Sequence, residues 1–254
     1  MHVEDAYAKG MAASGDEHFD LTPELDLFQY RMIKPYVRTD VLEVGAGPGR
    51  IARLLMQDNL IYDKYVISEP SDHFFGQLCR RIEAPSSKIT LTQGDTSDLV
   101  KQYAGAFDTI FSVHVLEHVE DDRAFLGDCL RMLRPSGKII ILVPALQFLY
   151  SNLDREIGHY RRYNKSMVRR LVQGLDCKLE TIYYANFLAI FASLTAFKIL
   201  RLDYQKSEVR KGGFVFLEKV YSRYFIPIID LMERNIRFPV ALNLTFMISH
   251  GDIS

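Results

Sequence analysis

An α/β domain, built on an open and mostly parallel sheet with helices on both faces, is the architecture this chain predicts. Three observations lead there. Residues 41–50 read VLEVGAGPGR, a short apolar strand that runs into a glycine cluster and then into a helical pattern. After it, short apolar runs alternate with amphipathic stretches as far as residue 144, the order that βαβ units produce. The runs are continuous, as Ile139 to Val143 (IIILV) shows, and strands covered on both faces read this way.

The elements follow in order. Residues 1 to 20 are polar and lack the apolar core of a signal peptide. Glu24 to Val37 reads as an amphipathic helix, with Leu25, Phe28, Met32 and Tyr36 at helical spacing. Arg38-Thr39-Asp40 breaks it before the first strand. Gly45, Gly47 and Gly49 then let the backbone turn sharply and approach a ligand without a Cβ in the way. Glu43 places a carboxylate inside the strand, near the edge where such sheets bind ligands; a charge there is costly without a role or a partner. The spacing G-x-G-x-G is not the dinucleotide fingerprint G-x-G-x-x-G, because Arg50 takes the third glycine position and Pro48 fixes φ inside the loop.

Arg50 to Gln57 continues as a helix, and Lys64 to Ser68 is the second strand, ending in Glu69-Pro70. An acidic residue about twenty positions after the glycine loop, at the next strand tip, is placed to accept hydrogen bonds from a ribose diol. A helix over Asp72 to Glu83 leads to the third strand, Lys88 to Thr92, whose tip carries Asp95 and Thr96. Asp95 is positioned to accept a bond from an adenine amino group. Ser97 to Tyr103 is helical, Phe107 to Val113 is the fourth strand, and His114-Val115-Leu116-Glu117-His118 follows it. A helix over Asp121 to Leu133 stops at Pro135 and Gly137, and Ile139 to Val143 is the fifth strand. Ala145 to Asn164 is a long loop without periodicity, a kind that is usually functional or disordered. Asn164 caps a helix over Lys165 to Gln173, and Lys178 to Ala185 is the sixth strand.

In this order and spacing, VLEVGAGPGR, the strand-end Glu69, QGDTSDL, FDTIFSVHVLEHVEDD and LRPSGKIIILVP closely resemble class I S-adenosylmethionine-dependent methyltransferases. The resemblance spans residues 41 to 144. It implies a Rossmann-like seven-stranded sheet whose last strand enters antiparallel between the fifth and sixth; Leu242 to Ser249 is the candidate. It implies S-adenosylmethionine as cofactor, with Glu43, Gly45, Ala46, Gly47 and Gly49 around the methionine part, Glu69 and Pro70 at the ribose, Asp95 and Thr96 at the adenine, and His114 at the cofactor or the substrate. In the family the segment before the first strand often folds over the cofactor, so residues 1–40 read as a lid and helix, with Tyr7 and Phe19 as lid contacts or else as part of a frayed tail. LYSNLDREIGHYRRYNKSMV resembles a bacterial subset with a GHYRRY-like loop, which also shares an apolar insert before the last strand.

Composition narrows the role. A chain of 254 residues suits one domain with an elaboration, here an insert over residues 186–239. A net charge of −1 gives no basic field for nucleic acid. Cys79, Cys129 and Cys177 are scattered, so no zinc or disulfide framework is expected and each reads as a buried small hydrophobe in a reducing, cytoplasmic setting. Within the insert, Phe187 to Leu202 is apolar nearly all round and Val220 to Asn235 is amphipathic, with Pro227 near its middle and a charged linker between the two. Such a helix must be buried or face lipid, and the first is too short to span a bilayer. The insert reads as the roof of a hydrophobic substrate pocket, a homodimer contact or a peripheral membrane surface; Phe187, Phe191 and Tyr224 are its candidate substrate contacts.

For the chemistry, His159 is the candidate base, with His114 and Tyr160 beside it, and Arg161 and Arg162 are candidates to grip an anionic substrate group. The bland alternative has the arginines pinning the loop to Asp154 or Glu156; for His118 it is orientation of its own loop. No metal is expected. The overall reading is methyl transfer to oxygen or nitrogen of a small-molecule acceptor with a hydrophobic or anionic part. The rivals are an NAD-dependent oxidoreductase and a non-enzymatic, membrane-peripheral protein of the same fold.

Overall fold

The computed structural model describes residues 22–58, 62–82, 87–190 and 219–251. Strands β1 (Asp40–Val44), β2 (Lys64–Glu69), β3 (Ile89–Gln93), β4 (Phe107–Val113), β5 (Leu133–Pro144), β6 (Cys177–Ala185) and β7 (Asn243–His250) form one sheet in the order β3-β2-β1-β4-β5-β7-β6. The first five pair in parallel. β7 lies antiparallel to both β5 and β6, the expected insertion. The helices are α1 (Pro23–Ile33), α2 (Arg50–Gln57), α3 (Asp72–Arg81), α4 (Thr96–Leu99), α5 (Asp122–Met132), α6 (Asn152–Glu156), α7 (Lys165–Val172) and α8 (Ile226–Glu233).

Side-chain alternation divides the core between two sheet faces. On one, Leu42, Val66, Ile110, Ile141 and Phe246 pack against Phe125, Leu126 and Cys129 of α5 and Val168 of α7. On the other, Val41, Ile67, Phe111, Ile140 and Met247 meet Tyr30 and Ile33 of α1, Ile51 and Leu55 of α2, and Leu78 of α3. Each aliphatic side chain buried in this way contributes roughly 1.5–3 kcal/mol. Both β5 faces are covered, which explains its unbroken apolar run.

Several boundaries depart from the sequence expectation. α1 ends at Ile33 and continues as one 3₁₀ turn over Lys34–Tyr36, because Pro35 has no N–H to donate. α4 is a single turn, capped at its start by Asp95. β5 begins at Leu133, and its register against β4 jumps between the pairs Phe107/Leu133 and Thr109/Lys138; the Pro135–Gly137 stretch is absorbed in that irregularity. The 145–164 loop is ordered by a 3₁₀ turn at Gln147–Leu149, by α6, and by a bridge between Ala145 and Tyr163. Asn164 caps α7 as expected, accepting from Met167 N at 2.9 Å.

Only the ends of the insert are described. Around Pro227 the helix opens into a π turn at Tyr221–Phe225 before α8, a usual way to accommodate a residue that cannot donate. α8 packs on α1 through Phe28, Ile226 and Ile229, reinforced by ion pairs from Arg31 to Asp230 and from Arg223 to Glu24. Phe191 and the rest of residues 191–218, like Tyr7 and Phe19, lie outside the described residues. Cys129 is buried as expected, whereas Cys79 is exposed on the outer side of α3. Among the described residues no helix is long and apolar enough to cross a membrane.

Candidate active site

The three loop glycines have positive φ, 70°, 55° and 83° for Gly45, Gly47 and Gly49, but they do different work. A Cβ on Gly45 would lie 2.5 Å from Val115 Cγ2, and one on Gly49 would lie 2.7 Å from Leu78 Cδ1. Those two permit close packing. A Cβ on Gly47 meets no atom within 4 Å, so the open space lies over this residue. Beside it, the Glu69 carboxylate accepts from Gly47 N at 2.7 Å and from Ser71 N at 2.9 Å. Glu69 is thus fixed at the tip of β2 with Pro70 next to it, and Ala46 N donates to Ser68 O at 2.9 Å to hold the loop against the strand. An open glycine face beside an anchored carboxylate fits a nucleoside with a ribose diol.

Glu43 is buried and accepts from the Tyr65 hydroxyl. Burial drives its carboxyl up to about 8; the Tyr65 bond opposes the shift and the Glu69 charge adds to it. Asp95 is exposed, and its Oδ1 accepts from Ser97 N at 2.9 Å, Asp98 N at 3.3 Å and Ser97 Oγ at 2.7 Å. Its evident local task is to cap α4, which also buries Thr96.

At the tips of β4 and β5 the groups are side chains. His114 sits at φ 56°, an uncommon conformation for a residue with a Cβ. Its N donates to Leu142 O at 2.9 Å. Its ring is held between Gln29 of α1, 3.1 Å from Nε2, and Glu117 Oε1, 3.2 Å from Nδ1. With the Gln29 amide donating to Nε2, Nδ1 carries the proton given to Glu117. Glu117 is fully buried. Burial would raise its carboxyl, but the His114 bond and the surrounding histidines hold it below the ordinary value.

The 145–164 loop folds back onto this point. His159 N donates to Asp154 O at 2.7 Å and Tyr160 N to Glu117 O at 2.8 Å. His159 Nδ1 lies 2.9 Å from Asp154 Oδ1, and its Nε2 lies 4.0 Å from Glu117 Oε1. Asp154 also accepts from Arg162 Nε at 2.7 Å. Burial works against ionisation of Asp154, yet the His159 and Arg162 bonds hold its carboxyl down to about 2. The His118 ring meets the His159 ring edge-on at 4.6 Å. Burial lowers His118 to about 4, so it is neutral near neutral pH.

The remaining candidate residues separate. Arg161 pairs with Asp122 at 2.8 Å and donates to Glu120 O at 2.8 Å; Arg162 pairs with Asp154. Tyr160 is 46% exposed. Phe187 stacks on Phe238 at 3.7 Å, and Tyr224 is 65% exposed. A cavity of about 590 Å³ lies between α1, β6 and α8, lined by Phe28, Met32 and Tyr183 with Arg31, Arg237, Asp230 and Glu233 among others, and neither Phe187, Tyr224 nor His159 lines it. Sequence reasoning gave no role to Gln29 or Glu117 and gave Asp154 only an ion pair.

Residues 42–141 match the profile of the methyltransferase domain. Ajmaline N-methyltransferase of Rauvolfia serpentina is 22% identical over 66% of this chain and 55% of its own length. Ubiquinone biosynthesis O-methyltransferase of Vibrio campbellii is 25% identical over 47% of this chain and 46% of its own length. The chain spans about half the length of the curated relatives it matches. The crystal structure of a SAM-dependent methyltransferase from Thermotoga maritima superposes with a TM-score of 0.61 at 14% identity, covering 96% of this chain and 97% of that one. That likeness establishes the fold, and S-adenosylmethionine is the cofactor that the matched domain takes.

Proposed function

We infer that this chain, with a methyltransferase domain across residues 42–141, moves a methyl group from S-adenosylmethionine to an oxygen or nitrogen of a small-molecule acceptor. The observation that carries the reading is the open face of Gly47 beside the anchored Glu69 carboxylate. Glu69 would hold the ribose and the loop at Gly45 to Gly49 the methionine part. The cofactor, when bound, supplies an electrophilic methyl on a sulfonium.

The protein's own part is alignment and acceptor activation. His159 acts on the acceptor and not on the cofactor. It stands at the β4 and β5 tips, and Asp154 fixes its tautomer so that Nε2 is the nitrogen left for the acceptor side. The two arginines support this arrangement by holding the loop. Residues 186–239 form a cap in this reading and residues 1–40 a lid. The support is the contact of α8 with α1 and the reach of Gln29 to His114. The apolar composition of the insert favours an acceptor with a hydrophobic part. Tyr224, Phe225, Ile228 and Leu231 are exposed, which favours a second role for the insert as a homodimer or peripheral membrane contact. The string GHYRRY at residues 158–163 supports grouping the chain with the bacterial subset it resembles.

Isothermal titration tests the reading. S-adenosylhomocysteine should bind at micromolar order, and binding of NAD with neither sulfur ligand detectable would overturn it.

A further inference from the structure

Glu117 is fully buried, yet among the described residues its ion-pair neighbours are histidines alone, His114 and His159. A buried carboxylate is costly unless a cation or a metal ion compensates it. Its Oε1 is engaged by His114, whereas the buried Oε2 has no hydrogen-bond partner. One ligand atom each from Glu117, His118 and His159 lies within 4.8 Å of the other two. His159 is also oriented from behind, its Nδ1 2.9 Å from Asp154, and His118 is hydrogen-bonded to the Gly158 backbone. Metal-binding histidines are typically held in this way.

We propose that Glu117, His118 and His159 form a binding site for a divalent transition-metal ion of the Zn²⁺ class, with His114, Asp154 and Gly158 orienting the three ligands. Two imidazole nitrogens and one carboxylate suit such an ion, whereas Mg²⁺ and Ca²⁺ prefer oxygen ligands. Donors about 2.1 Å from Zn²⁺ at a tetrahedral angle stand about 3.4 Å apart. His159 Nε2 and Glu117 Oε1 are 4.0 Å apart, so a side-chain adjustment of about half an ångström closes the pair. Three protein ligands leave a coordination position open, and an acceptor oxygen fits it. The use of the ion rests on the reading that the acceptor lies at this edge; its binding does not. His159 would then act on the acceptor through the ion instead of by taking a proton.

The chain, stripped with a chelator, is titrated with zinc chloride in the absence of cofactor and acceptor, and bound zinc is measured after equilibrium dialysis. One zinc per chain is expected. Glu117→Gln and His159→Ala should each weaken binding by tenfold or more. His73→Ala, a histidine whose ring meets Gln77 on α3 at 3.0 Å, should bind as the parent does. In parent protein carrying isotope-labelled histidine, zinc should shift the ring resonances of His118 and His159, and to a smaller extent His114, and leave the other four of the seven histidines in place, a readout that needs no variant to fold. Absence of saturable binding, or binding that both ligand variants retain unchanged, overturns the site. S-adenosylhomocysteine titrated into the same stripped protein separates the two readings. Its binding without zinc binding removes the ion and leaves the transferase, and zinc binding without it does the reverse.

Discussion

At the tips of β1 and β2 the candidate site is made of an open glycine face and one carboxylate that backbone N–H groups hold in place, all contributed by residues close in sequence. At the tips of β4 and β5 they are buried side chains, and Glu117 meets His159 only because the 145–164 loop returns along the Ala145–Tyr163 bridge. The first edge is built from conformation, the second from long-range contact. A backbone cradle tolerates side-chain change except at its glycines. A cluster of ionisable side chains depends on every member and on the loop that delivers it.

The largest expected effect tests whether the edges are separable. His159→Ala should lower turnover by roughly 10²–10⁴-fold, whether His159 takes the acceptor's proton itself or holds an ion that activates the acceptor, and leave S-adenosylhomocysteine affinity within a few-fold by calorimetry. Equal losses in both would show that the edges are not independent. Gly45→Ala should join them, because the new Cβ meets Val115 at 2.5 Å from a residue at φ 70°. Strain of this kind costs about 1–3 kcal/mol and overpacking a similar amount. A lowered melting temperature with reduced turnover is the expected outcome, and an unchanged melt would show that Val115 gives way freely. Glu69→Ala, confined to the first edge, should weaken cofactor binding by about 1–3 kcal/mol while the melt stays near the parent's.

The subtlest effect is a slope with pH. Glu43 titrates near 8 in the fold against an ordinary value of 4.5. Between those two values the folded state keeps a proton that the unfolded state loses, so the Glu43 contribution to stability falls as pH rises through that window and is level outside it. Glu43→Gln should flatten this part of the stability curve in denaturant titrations at several pH values. A curve identical to the parent's would mean that Glu43 ionises normally.

The same division explains what the sequence could and could not disclose. The glycine loop and Glu69 are legible because their partners lie within one βαβ unit. The place of β7 followed from the resemblance and not from spacing. Asp95 reads equally as a ligand contact or a helix cap from sequence, and in the fold its three bonds are those of the α4 cap. Arg161 and Arg162 look like anion grips in the string GHYRRY, but their partners Asp122 and Asp154 lie on neighbouring turns. The role of Glu117 was hidden most deeply. Its burial depends on a loop without periodicity, and side-chain clusters between distant segments leave no period to read.

The position of β7 also bears on how the sheet comes to exist. Among the described residues β6 pairs with β7 alone, and β5 pairs with β4 on one side and β7 on the other. During synthesis β5 therefore keeps a long apolar edge unpaired, and β6 has nowhere to dock, until the chain beyond the insert has left the ribosome. Closing so wide a loop before any β7 contact forms is slow. An unpaired apolar edge in the meantime invites pairing with another chain. A chain interrupted within the insert would therefore lose β6 as well as β7, and aggregation, more than partial function, is the expected fate of that fragment.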